Sequence, residues 1–181
     1  MAEVKFLNHR IGLKNHLYRF IWGVTWTILV KPIPRTYLND WKLFVLRLFG
    51  AKVSSKSLVY SSASIYDPRK LIMESGSCLG PNVDCYNVDI VHLKRNALVS
   101  QKTYLCTASH NLNGNNFELI TAPIIVGDNV WIAADSFVGM GVTIGEHSVV
   151  GARSSVFKDV KPNTIVGGNP AKFIKYRPQI Q

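Results

Sequence analysis

VGDNVWIAADSFVGMGVTIGEHSVVGARSSVFKDVK, residues 126–161, repeats every six residues. One column is aliphatic throughout: Val126, Ile132, Val138, Ile144, Val150 and Val156. The residue after each is Gly127, Ala133, Gly139, Gly145, Gly151 and then Phe157. The residue four on is small or aliphatic: Val130, Ser136, Val142, Ser148, Ser154, Val160. Given the Ile, Leu and Val content, six aliphatics in one register arise by chance about 5 times in 10,000. A period of six fits neither the 3.6 of a helix nor a simple hairpin. It is the hexapeptide pattern of a parallel β-helix, in which each six makes a short strand and a corner and three sixes make one triangular coil. The aliphatic column points inward, and the glycines beside it are expected to turn the chain with φ > 0.

Outward from this stretch the beat continues. Toward the N-terminus it runs through Val59, Ile65, Met73, Leu79, Cys85, Leu93, Val99 and Leu105, with a break at Asp67-Pro68-Arg69 and a small insertion at Val88–His92. Residues 107–121 carry no beat and contain His110, Asn111, Asn113, Gly114, Asn115 and Asn116. A long excursion from a regular solenoid is a place to look for function. The expected organisation is a helical segment at 1–56, a β-helix at 57–161 with the inserted loop 107–121, and a basic tail at 162–181. Four to five coils are expected, and Ala171–Lys175 could form a helical turn.

Residues 15–30, NHLYRFIWGVTWTILV, are apolar and aromatic. The uncharged run Phe20–Val30 is shorter than the roughly 20 residues that span a bilayer. A short helix is expected, buried or lying on a membrane surface, ended by Lys31-Pro32-Ile33-Pro34. A second helix is expected after an N-cap at Asn39 or Asp40, with Trp41, Phe44, Val45, Leu48 and Phe49 on one face and Gly50 as its stop. These helices could either cap the β-helix or contact membrane.

The 181 residues carry a net charge of +10, unevenly spread. Residues 1–56 hold ten Lys or Arg against two acids; residues 153–181 hold six against one. Basic ends suit phosphate ligands or an anionic membrane. No helix-turn-helix, zinc-finger or RNA-binding signature is present, so no nucleic-acid partner is expected. Cys78, Cys85 and Cys106 follow no metal spacing and are expected as reduced thiols. Residues 2–14 are polar and mixed in charge, unlike a signal peptide, so a cytoplasmic protein is expected.

The segment LCTASHN, followed by APIIVGDNVWIAADSFVGMGVTIGEHSVVGARSSVFKDVKPNTIVGGNPAKFIK, resembles the hexapeptide-repeat acyltransferases. It is most similar to the branch of maltose, galactoside and nodulation-type O-acetyltransferases. WTILVKPIPR and WKLFVLRLFGAKV resemble more narrowly the colanic acid biosynthesis acetyltransferase subgroup. The resemblance implies an all-β, left-handed parallel β-helix, a homotrimer, and acetyl-CoA held as acyl donor in clefts between adjacent prisms. It implies a sugar hydroxyl of a surface glycan, or a lipid-linked sugar precursor, as acceptor, with no metal required. N-acetylation of an amino sugar or small amine is the main alternative; a non-catalytic scaffold is another.

The family places its catalytic histidine where His110 stands, at the root of the loop. Imidazole ordinarily titrates near pH ~6.5, so a histidine side chain can accept a hydroxyl proton near neutrality. A carboxylate holding its tautomer is expected, with Glu118 and Asp84 as candidates. Asn87 could bond the acceptor sugar or could simply be a corner residue. Trp131, next to a corner, could wall the acyl channel or pack between subunits. Ala133, Ala134, Gly151 and Ala152 are small enough to leave backbone amides reachable by pantetheine and by an oxyanion. Phe157, where the family more often has Thr, and Lys158 fall on cofactor-contacting positions; Lys172 and Lys175 are further candidates for the CoA phosphates. His9, His16, His92 and His147 have no comparable context. The zinc-binding carbonic anhydrases that share this fold need paired histidines at short spacing, which the sequence lacks.

Overall fold

The computed structural model describes residues 4–6, 12–34, 37–113 and 116–178. His9, Gly114 and Asn115 lie outside the described residues. Three parallel sheets run along a triangular prism. The first face stacks Lys52–Val53, Leu71–Met73, Val91–Leu93, Ile124–Val126 and Thr143–Ile144. The second stacks Leu58–Val59, Cys78–Leu79, Leu98–Val99, Trp131–Ile132, Val149–Val150 and Thr164–Gly167. The third stacks Ser64–Ile65, Asp84–Tyr86, Tyr104–Cys106, Phe137–Val138 and Ser155–Val156. The solenoid therefore begins at Lys52 and continues to Gly167, beyond 57–161 at both ends.

The inward column is as the sequence implies: Val126, Ile132, Val138, Ile144 and Val150 are fully buried, as are Val59, Leu79, Cys85, Leu93, Val99 and Leu105. Burial drives the Cys85 thiol well above the ordinary thiol range and pushes Cys78 up to about 11, so both stay protonated as packing groups.

The glycines turn out to serve a different purpose from the one expected. Positive φ falls two residues later, at Asn129, Asp135, Gly141, His147 and Arg153, with values between 55° and 75°. Two of the glycines beside the inward column, Gly127 and Gly145, are demanded by close approach of the next coil, whereas Gly139 and Gly151 have ordinary or nearly ordinary clearance. A Cβ on Gly145 would lie 2.5 Å from Pro162 N, and one on Gly127 would lie 2.7 Å from Glu146 N. Phe157 occupies the equivalent position on the edge strand of the third face, where Tyr66 and Tyr86 stand in lower coils, and its ring packs on Phe137.

The irregularities of the beat share one corner, between the third and first faces. Asp67–Lys70, then Asn87–Ile90, then 107–123 all leave the solenoid there. They are stacked by side chains: the Asn87 amide oxygen accepts from Tyr66 N and Asp67 N, and its amide nitrogen donates to Asp67 O. One coil further on, Thr107 Oγ1 donates to Tyr86 O and accepts from Asp89 N.

Two helices close the N-terminal end of the prism. The first, α1, spans Leu13–Leu29 and the second, α2, spans Asn39–Leu48. Trp22 and Trp26 are buried, and their indole N–H groups donate to Ile65 O and Ala63 O at 2.7 and 3.0 Å. This pins α1 across the first coil. Asn39 is the first helical residue and not a cap; it holds the coil edge by donating to Ser57 O and accepting from Val59 N. Gly50, with φ 87°, ends the segment as expected. On α2 the buried residues are Lys42, Leu43, Val45 and Leu46, whereas Trp41, Phe44 and Leu48 face outward. The expected apolar face thus splits. Both faces of the helix are apolar, and only one packs on the prism. Among the described residues no helix is long and apolar enough to cross a membrane.

The C-terminal segment makes a hairpin and not the helical turn. Lys172–Tyr176 returns antiparallel along Thr164–Gly167 after a cis Asn169-Pro170 bond and covers the last edge of the second face.

Candidate active site

The excursion at 107–123 is built as a two-stranded arm. Ala108–His110 pairs antiparallel with Leu119–Thr121, and Lys5–Phe6 adds a third strand along Ile120 and Thr121. His110 stands exposed on this arm, opposite Leu119. Its Nδ1 lies 2.6 Å from the carbonyl oxygen of Phe117. A carbonyl oxygen can only accept, so Nδ1 carries the proton and, in the neutral ring, Nε2 keeps its lone pair.

The orienting group is therefore a backbone carbonyl, which sequence reasoning missed. Phe117 presents it from a left-handed conformation, φ 48°. Neither expected carboxylate takes this part: Glu118 accepts from Asn111 Nδ2, and Asp84 lies on the third face, one coil below Tyr104. The other described histidines are engaged or remote. His92 Nε2 is 2.7 Å from Glu74 Oε1, His147 lies at a corner by Asn129, and His16 is on the exposed side of α1.

Asn87, the candidate acceptor contact, is fully buried with its amide committed to the chain one coil below. It is not at a positive-φ corner either. The structure gives it the task of stacking the insertions.

The remaining candidates fall on two edges of the prism. Trp131 lies on the second face, 46% exposed, its indole N–H donating to Ser100 Oγ at 2.9 Å. Ala133-Ala134 and Gly151-Ala152 are successive corners between the second and third faces. The amides of Ala133 and Gly151 are committed to Val150 O and Val166 O, which corrects the expectation for those two. Among the described residues nothing accepts from the amides of Ala134 and Ala152, which remain for a ligand.

Phe157 and Lys158 lie on the other edge, between the third and first faces, above the corner that bears the His110 arm. Together with Lys172 they line a cleft of about 380 Å³ at the C-terminal end of the prism. They also border a second cleft of about 500 Å³ against Val4, Met140 and Gly141. Lys175 is exposed on the terminal hairpin, outside both.

The β-helix thus presents an exposed imidazole with a fixed tautomer, free backbone amides on a solenoid corner and basic residues at one end. No family model matches the chain. It is 41% identical over 140 residues, 77% of each chain, to WcaF of Escherichia coli strain K12, named as a colanic acid biosynthesis acetyltransferase. It is 38% identical over 96 residues, 51% of this chain and 46% of the other, to the galactoside O-acetyltransferase of the same organism. Among solved structures, the hexapeptide-repeat acetyltransferase VCA0836 of Vibrio cholerae superposes with a TM-score of 0.82 at 26% identity, over 93% of this chain and 96% of that one. That protein has also been solved with acetyl coenzyme A, at a TM-score of 0.78. The chain belongs to the hexapeptide-repeat acetyltransferase family, and its solenoid is the left-handed parallel β-helix of that family.

Proposed function

We propose that this acetyltransferase moves the acetyl group of acetyl-CoA onto a sugar hydroxyl of a surface polysaccharide or its lipid-linked precursor, with His110 as general base. The observation that carries this reading is the His110–Phe117 hydrogen bond, which leaves Nε2 as a proton acceptor on an exposed arm. The hydroxyl gives its proton to Nε2 as its oxygen attacks the thioester carbonyl. The tetrahedral oxyanion collapses, the carbon–sulfur bond breaks, and the leaving thiolate takes the proton from the imidazolium. An ester and CoA result. Ala134 and Ala152 offer the backbone donors for pantetheine or the oxyanion, Trp131 walls the acyl channel, and Phe157, Lys158, Lys172 and Lys175 hold the nucleotide end.

In one chain the Ala134 and Ala152 amides stand at one border of the third face, and the His110 arm, with Phe157 and Lys158 above it, stands at the other. A coil side of about six residues at ~3.3 Å each separates them by roughly 15–20 Å. One thioester cannot touch both in a lone prism. Apposing the border of one chain to that of the next joins them, which supports a homotrimer with a shared groove between each pair of chains.

The outer side of the two helices supports a peripheral membrane site. Leu17, Phe20, Ile21, Val24 and Ile28 of α1 are exposed, and Trp41 of α2 bonds across to Leu29 O, extending the same surface through Phe44 and Leu48. Arg19 lines this side beside Phe20 and Val24 with its guanidinium over the Tyr66 ring, and Lys14 and Lys31 stand at the two ends of α1. Such a surface suits the anionic cytoplasmic face of a membrane, where a lipid-linked acceptor would be met. The protein is expected to float with anionic vesicles and to be released as salt screens the lysines; absence of flotation removes this part.

The reaction is tested by following thiol release from acetyl-CoA with sugars, amino sugars and small amines, then treating the product with mild alkali. An alkali-labile ester on a sugar is expected. An alkali-stable amide would replace the reading with N-acetylation.

A further inference from the structure

Asp89 is nearly buried, and its polar groups reach both feet of the arm, the N-terminal strand and its own neighbour Ile90. Its backbone N–H donates to Thr107 Oγ1 at 2.8 Å, where the arm leaves the solenoid. Its Oδ2 accepts from Thr121 Oγ1 at 3.4 Å, where the arm returns, and lies 3.3 Å from Lys5 Nζ. Its Oδ1 accepts from Ile90 N at 2.7 Å, which fixes the rotamer of the carboxylate. Thr107 and Thr121 are themselves buried. Lys5 pairs with Thr121 and Phe6 with Ile120, so the N-terminal strand lies on the outer side of the returning strand.

We propose that Asp89 is a positioning residue for catalysis, a clasp that joins both feet of the arm to the solenoid and is closed from outside by Lys5. This rests on His110 being the base. His110 stands two residue pairs beyond the Ala108–Thr121 pair at the foot, so any tilt there displaces Nε2 from the hydroxyl it must meet. A charge buried to this degree needs a partner, and Lys5 provides it. The clasp therefore also explains why the N-terminal segment, remote in sequence, is paired to this arm. A misplacement of about 1 Å in such a group costs roughly 100-fold in rate.

The test uses the full chain, with acetyl-CoA and the sugar that supports the fastest thiol release. Asp89→Ala is expected to lower kcat roughly 10- to 100-fold with KM for acetyl-CoA little changed. Amide exchange at Asn111 and Ile120 should become faster. Asp89→Asn, whose amide oxygen can still accept from Ile90 N while its amide nitrogen can donate to Thr121 Oγ1, should recover part of kcat. In a His110→Ala background Asp89→Ala should cause no further loss, since both act on one step. An Asp89→Ala enzyme of unchanged kcat, or a full additional loss on top of His110→Ala, would overturn the clasp. A fully active His110→Ala enzyme would instead remove the base, while the exchange rates would still report whether Asp89 holds the arm.

Discussion

His110→Ala slows acetyl transfer by about two to four orders of magnitude, the usual worth of a positioned general base, and leaves acetyl-CoA binding nearly unchanged. The separation is expected because the imidazole lies on the exposed arm, at the opposite border of the third face from the Ala134 and Ala152 amides. The substitution removes no buried contact, so the fold should survive it. Steady-state kinetics with calorimetric titration of CoA reads both halves. A variant retaining the full rate would show that the proton goes elsewhere; one losing CoA binding in proportion would make His110 a ligand for the donor. His110→Gln is informative beside it: the amide nitrogen could still reach the Phe117 carbonyl, but no basic nitrogen is left, so the rate should stay low.

The second large effect is on stability. Gly145→Val is expected to cost about 3 kcal/mol or more, because overpacking here meets backbone and not a movable side chain. Its Cβ would come within 2.5 Å of Pro162 N and 2.7 Å of Pro162 Cδ. The last coil can move aside only by giving up the Gly145 N to Val160 O bond and the Ile144–Val160 bridge. Gly139→Ala is the contrast. Its Cβ would meet Phe157 and Val156 O no closer than 3.4 Å, so a change within about 1 kcal/mol is expected. Denaturant melts of the two variants check this. Equal stability would mean that the glycines are not required by coil spacing.

The same glycines show what could be read from the sequence and what could not. Their period was legible, because each coil must bury the same kind of side chain in the same place. Their reason was not: steric demand across coils depends on which backbone atoms lie above, and that is a property of the stacked object. Gly139 illustrates this, since the coil above leaves a Cβ there 3.4 Å of clearance where Gly145 has 2.5 Å. His110 was singled out from its loop and its neighbours LCTAS, and the structure sets it exposed on that arm. Its partner was not, because a backbone carbonyl leaves no residue type to recognise. Asn87 misled for a related reason: an Asn beside an insertion looks available to a sugar, whereas here it joins Tyr66 and Asp67 to the coil above. The outward apolar side of α2 was hidden by a helix whose two faces are both hydrophobic. Only packing decides that Leu43 and Leu46 go in and Phe44 stays out.

The central claim is that donor and base meet across two chains. It is tested most directly by mixing two inactive proteins, His110→Ala and Ala152→Trp, the latter filling the pantetheine slot. Co-expressed in equal amounts and purified together, they should recover about a quarter of the wild-type rate, because random assembly joins an intact arm to an intact slot in that share of grooves. A mixture as inactive as its parents would place arm and slot in the same chain and contradict the account.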